Sequence, residues 1–86
     1  MANLSLEIVT PQAKVFSGEI KSVNLPGGQS PFQVLTNHAP VVSSLVNGNL
    51  KIENMDGSIN LYETSNGFVE LANNKVSVVV ESAKLV

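Results

Sequence analysis

A chain of 86 residues has room for one domain and one core, and it buries only roughly 60–65% of the surface its unfolded form exposes. It has no cysteine, so neither a disulfide nor a thiolate metal site adds to that margin, and the support left is a partner that binds only the folded state. Net charge is −2, arginine is absent and the five lysines are scattered, which excludes the basic stripe needed to hold nucleic acid or an anionic lipid surface.

The chain opens with Leu4-Ser5-Leu6-Glu7-Ile8, a strand with Leu4, Leu6 and Ile8 facing in and Ser5 and Glu7 facing out. Thr10-Pro11 ends it. A short strand over Lys14 to Phe16 comes before a turn at Ser17-Gly18, and another runs from Ile20 to Leu25. Pro26-Gly27-Gly28 reads as a tight turn between strands, and as an exposed loop it is also a place for recognition. Strands follow at Phe32 to Leu35 and Val41 to Val46, separated by turn residues from Asn37 to Pro40.

Leu50-Lys51-Ile52-Glu53 and Ile59-Asn60-Leu61 form two arms around Asn54-Met55-Asp56-Gly57, where Asp-Gly supplies the φ > 0 positions of a tight hairpin. Phe68 to Leu71 is the next strand. Asn73-Asn74 is a turn, and Lys75 to Val80 alternates with Val76, Val78 and Val80 on one side and Lys75, Ser77 and Val79 on the other. No window carries sustained helical spacing, and Pro11, Pro26, Pro31 and Pro40 rule out a long helix in the first half. The expectation is all-β: an antiparallel β-sandwich, or flattened barrel, of about ten short strands spanning residues 1–86 with no helical hairpin.

Chemistry finds little to work with. His38 is the only histidine and Asp56, in a hairpin turn, the only aspartate, so no nucleophile–base–acid arrangement presents itself. One histidine and isolated acids make no metal ligand set, and the glycines at 27 and 28 lack the following helix that phosphate cradles use. No catalytic residue, metal or cofactor is expected. No run reaches the ~20 apolar residues of a spanning helix, and Met1-Ala2-Asn3-Leu4 does not open a secretory signal.

Charged residues make up only 14% of the chain. Val9, Phe68, Val79 and Val42 fall on the outward side of the alternation. Either the assigned register slips by one or both faces are covered internally, or these residues form an apolar patch awaiting a partner.

Three stretches together resemble one family. They are Leu6 to Pro11 followed by Val15-Phe16-Ser17-Gly18-Glu19; Val23 to Gly27 running through Phe32 to Leu35 and on to His38-Ala39-Pro40; and Asn66 to Leu71 followed by Asn74 to Val78. In this order they are similar to the N-terminal domain of the ε subunit of rotary ATP synthases, called δ in mitochondria, over essentially the whole chain.

The resemblance implies a non-catalytic β-sandwich at the foot of the central stalk. It would turn with the rotor, grip the γ subunit, touch the c-ring, and so couple proton translocation to ATP synthesis. Carried over by position, it places Thr10, His38 and Ser43 near γ, with Ala39 and Pro40 shaping that strand, and the outward Val42 and Val79 on the same side. It places Gly28, Gln29, Ser30 and Pro31 toward the c-ring. Many members carry acids in that loop, and this chain has Gln29, Ser30 and Pro31, so the contact should be less electrostatic here. Where many have Pro-Gly before the histidine, this chain has Thr36-Asn37.

Many members also continue into a two-helix hairpin that inhibits hydrolysis and in some binds ATP. With no such segment after the last strand, neither property is expected. The same resemblance implies a monomer in isolation and one copy per complex. It also implies a position peripheral to the cytoplasmic face of an energy-transducing membrane, in a bacterium. The competing reading is a stand-alone β-sandwich binding module for a carbohydrate or protein ligand, for which one Tyr, three Phe and no Trp are a poor supply of stacking rings.

Overall fold

The computed structural model describes residues 3–86, so Met1 and Ala2, at the start of the expected domain, lie outside the described residues. Nine strands follow one another: β1 (Leu4–Val9), β2 (Lys14–Leu25), β3 (Phe32–Leu35), β4 (Val41–Leu45), β5 (Gly48–Asn54), β6 (Ile59–Thr64), β7 (Gly67–Ala72), β8 (Lys75–Val80) and β9 (Ala83–Leu85). The described residues contain no helix.

The strands pair in the order β4-β7-β8-β1-β2-β5-β6-β9, with β3 on the side of β2. β2 is the corner. Its first half, Lys14 to Ile20, pairs with β1, and its second half pairs with β5 and β3. One layer is therefore β4-β7-β8-β1-β2 and the other β3-β2-β5-β6-β9, with β2 common to both. The expected turn at Ser17-Gly18 does not exist, because the chain stays extended from Lys14 to Leu25. The two pieces expected there are one strand, and β9, which was not expected, brings the count to nine.

The corner is a β-bulge. Ile20 faces Asn54 and Ser22 faces Glu53, so β2 spends one more residue than β5 over this step. The extra residue, Lys21, reverses the side-chain parity. Ile20 points inward in the first layer, Val23 and Leu25 in the second, and all three are buried.

The expected all-β sandwich is borne out, and its pairing is antiparallel with one exception. β1 and β8 run parallel, from Ser5 opposite Lys75 to Val9 opposite Val79. The cause is topological: β8 arrives from the β7 hairpin already pointing along β1. β9 went unpredicted because Ala83-Lys84-Leu85 is too short for a period-two signal.

The core between the layers holds Leu4, Leu6 and Ile8 of β1, Leu50 and Ile52 of β5, and Val76, Val78 and Val80 of β8, all buried. The edge-to-face pair of Phe16 and Tyr62, centroids 6.5 Å apart, packs across it. Burial of one such aliphatic side chain is worth about 1.5–3 kcal/mol.

Two turns differ in type. At Asn73-Asn74 both residues are left-handed, φ 52° and 61°, which makes the two-residue type I′ link between β7 and β8. At the β5–β6 hairpin only Gly57 is left-handed, φ 88°, so Asp56 does not supply the second φ > 0 position expected of it. Asp56 acts through its carboxylate instead, accepting from Ser58 N–H at 2.9 Å and Ser58 Oγ at 2.6 Å. Pro26-Gly27-Gly28 is likewise not a tight turn. It begins a loop from Pro26 to Pro31 that reaches β4, through a Gly27–Leu45 bridge and a bond from Gly28 N–H to Ser44 O.

Candidate partner-binding face

The two outer faces of the sandwich differ. On the layer of β4, β7, β8 and β1, Ser44 lies opposite Phe68, Phe68 opposite Val79, and Val79 opposite Val9. Three apolar side chains on adjacent strands thus form one unbroken row. Phe68 is 55% exposed and Val79 43%. On the other layer Leu35 and Ile59 are also exposed, but the row between them runs through Ser22 and Glu53. A contiguous apolar row is what a protein partner covers, and isolated apolar residues are ordinary surface.

The register behind the alternation is as assigned. Val42, Phe68 and Val79 point to solvent in the assigned register, and Val9 is half-buried beside them. The row lines an open groove of about 300 Å³ together with Thr10-Pro11, Asn66-Gly67 and Glu81, which lie at the same end of their strands.

Thr10 is buried at the mouth of the groove. Its Oγ1 donates to Ala13 O at 3.2 Å and accepts from Ala13 N–H at 3.3 Å, while its own N–H donates to the same carbonyl. Its hydroxyl is used inside the chain, so Thr10 shapes the turn that presents Pro11. Beside the apolar row, Glu7 is paired with Lys14 at 2.9 Å. The hydrogen bond and charge from Lys14 hold the Glu7 carboxyl below its usual range.

The residues expected near γ do not gather in one spot. Val79 and Thr10 share the groove, and Val42 stands on the same face, opposite Glu70. Ser43 has the opposite parity on β4, opposite the buried Val69, with its hydroxyl donating to Ser44 O. His38 lies in the β3–β4 loop, beside Asn74 at the start of β8, and Thr10 lies beside its end. The six residues of β8 separate them, roughly 17–20 Å. His38 is exposed, with Nδ1 2.7 Å from Ala39 O, so that nitrogen carries the hydrogen and Nε2 is the one left for a partner.

Gly28, Gln29, Ser30 and Pro31 are all exposed. Gln29 and Ser30 form an open hollow of about 440 Å³ with Phe32 and residues 41–44 of β4. The loop expected to face one partner thus abuts the strand expected to face another, a juxtaposition invisible in sequence because Gly28 and Ser44 are distant along the chain. Pro11 and Asn66, which also line the groove, were missed as well. A signal existed for Phe68 and Val9, since both break the polar-out rule, but their meeting across Val79 needed the β1–β8 pairing.

Comparison with known proteins gives one family. The family described as the β-sandwich domain of the ATP synthase delta/epsilon chain matches residues 3–86. The ATP synthase epsilon chain of Campylobacter fetus is 43% identical over 83 residues, which cover 96% of this chain and 64% of that one. That of Chlorobaculum tepidum is 42% identical over 77 residues, 90% of this chain and 88% of the relative. Among solved structures, a chain of the Euglena gracilis mitochondrial ATP synthase superposes with a TM-score of 0.92 at 20% identity, covering 99% of this chain and 54% of that one. A chain of the Tetrahymena thermophila central stalk and c-ring gives 0.76 at 15% identity, covering 95% and 66%.

Proposed function

The chain belongs to the family of ATP synthase delta/epsilon β-sandwich domains, and from that premise we propose that it is a non-catalytic central-stalk subunit joining γ to the c-ring. It couples proton translocation to ATP synthesis by carrying torque, not by making or breaking bonds. The observation that carries the reading is the uninterrupted Phe68–Val79–Val9 row, which crosses three adjacent strands of one outer face. Its γ side comprises that row, Thr10-Pro11, Val42 and, at the far end, His38. Ser43 supports it from the strand edge.

The loop of Gly28, Gln29, Ser30 and Pro31 faces the c-ring. It bears no charged side chain, so its contact with polar loops rests on hydrogen bonding and shape. No helix among the described residues is long and apolar enough to cross a membrane, and the domain sits peripherally as part of the stalk. Its place is the cytoplasmic face of a bacterial energy-transducing membrane, in keeping with its bacterial relatives.

An NMR titration with the γ subunit of the same organism tests this. Amide signals of Val9, Phe68 and Val79 shift or broaden on addition of γ, and those of Lys51, Ile59 and Glu63 on the opposite layer do not. An unchanged spectrum at saturating γ rejects the proposal.

A further inference from the structure

Residues 36–40, the β3–β4 loop that carries His38, are exposed throughout and add nothing to the core. The loop is nevertheless held. Asn37 N–H donates to Asn74 Oδ1 at 2.6 Å, and Asn74 Nδ2 donates to Asn37 Oδ1 at 3.1 Å. Both asparagines are left-handed, φ 66° and 61°. A reciprocal amide clasp thus ties an outer loop to the β7–β8 turn.

Asn74 is the second residue of that type I′ turn, and the turn itself favours glycine there. Asparagine tolerates the conformation, but its side chain serves a different loop. A residue that is second best for its own turn and reaches across to another element is held there by what it reaches. Hydrogen bonds between exposed amides add little to folding, because water replaces them when they break. What the clasp changes is the freedom of the His38 loop.

Resting on the partner face described above, we propose that Asn74 is a positioning residue that preorganises the His38 loop for γ. A loop already ordered loses less freedom on binding, and apparent affinity falls in proportion to the fraction of loop that is binding-competent. The clasp also sits at the start of β8, so it sets the loop against the same outer layer that ends in Val79.

Asn74→Gly isolates the effect, since the turn keeps or gains stability while the clasp is lost. The measurements are γ affinity, hydrogen exchange at the Asn37 amide, and thermal unfolding, for wild type, Asn74→Gly, Asn74→Asp and Val79→Lys. Asn74→Gly is expected to unfold at or above the wild-type temperature, exchange faster at Asn37, and bind γ about 3- to 10-fold more weakly. Asn74→Asp keeps the acceptor for Asn37 N–H and falls between. If Asn74→Gly binds like wild type while Val79→Lys does not, the inference is overturned and the partner face stands. Affinity lost only in step with stability makes the clasp structural and overturns it too. Wild type that does not bind γ overturns the partner face and the inference with it.

Discussion

Gly67 begins β7 beside the groove, and a Cβ there would collide with the carbonyl oxygen of Val79 and with Val80. Both obstacles are strand residues that cannot swing aside. Gly67→Ala is therefore expected to cost about 1–3 kcal/mol. In a domain of this size that lowers the melting temperature by roughly 4–8 °C per kcal/mol. A melt unchanged from wild type would show that β7 and β8 can separate at no cost.

Glu7 and Asp56 both titrate below the usual carboxylate range, Glu7 through Lys14 and Asp56 through its bonds from Ser58. Because the folded values are depressed, their contribution to stability is present above the unfolded values and lost as pH falls through the folded ones. Lys14→Met should raise the Glu7 midpoint toward the ordinary value in a carboxylate NMR titration and leave Asp56 where it is. At this scale the sequence was informative: alternation placed Leu4, Leu6, Ile8, Val76, Val78 and Val80 inside, and all are buried. What alternation could not disclose was Thr10, whose hydroxyl is occupied by Ala13.

At the scale of the element, failures of sequence reading trace to places where one strand does two jobs. β2 carries two inward parities, one on each side of Lys21, and a period-two pattern broken in the middle reads as two strands. The break is also the mechanism, since the bulge lets one strand cross from one layer to the other. The β1–β8 pairing was hidden for another reason: a parallel pair leaves no local turn to announce it. Where the turn is local, as at Asn73-Asn74 or Asn54 to Gly57, the hairpin was legible.

Gly57 is the one left-handed position of the β5–β6 turn, with φ 88°, a backbone that strains any other residue although a side chain there would meet open space. Gly57→Ala should destabilise by about 1–2 kcal/mol from backbone strain alone. Its denaturant midpoint falls with an unchanged m-value if only the turn is affected.

The whole molecule is two five-stranded layers sharing one strand, closed on the β4 side by the loop that begins at Pro26. A domain this small has little stability to spare, so a partner that binds only the folded form should raise its melting temperature as partner concentration rises. The two outer faces also differ in composition. One outer layer carries an apolar row across three strands, and on the other Ser22 and Glu53 separate Leu35 from Ile59.

If the Val9–Phe68–Val79 layer grips γ, a charge placed on it weakens binding and one on the opposite layer does not. The most direct measurement is the dissociation constant for γ of Val79→Lys beside that of Ile59→Lys, an exposed apolar residue on the opposite layer. Burying an unpaired ammonium against γ is expected to weaken Val79→Lys by tenfold or more, about 1.4 kcal/mol, with its fold intact. Ile59→Lys should stay within about twofold of wild type. Equal affinities for the two variants, or a greater loss at Ile59, would contradict the account.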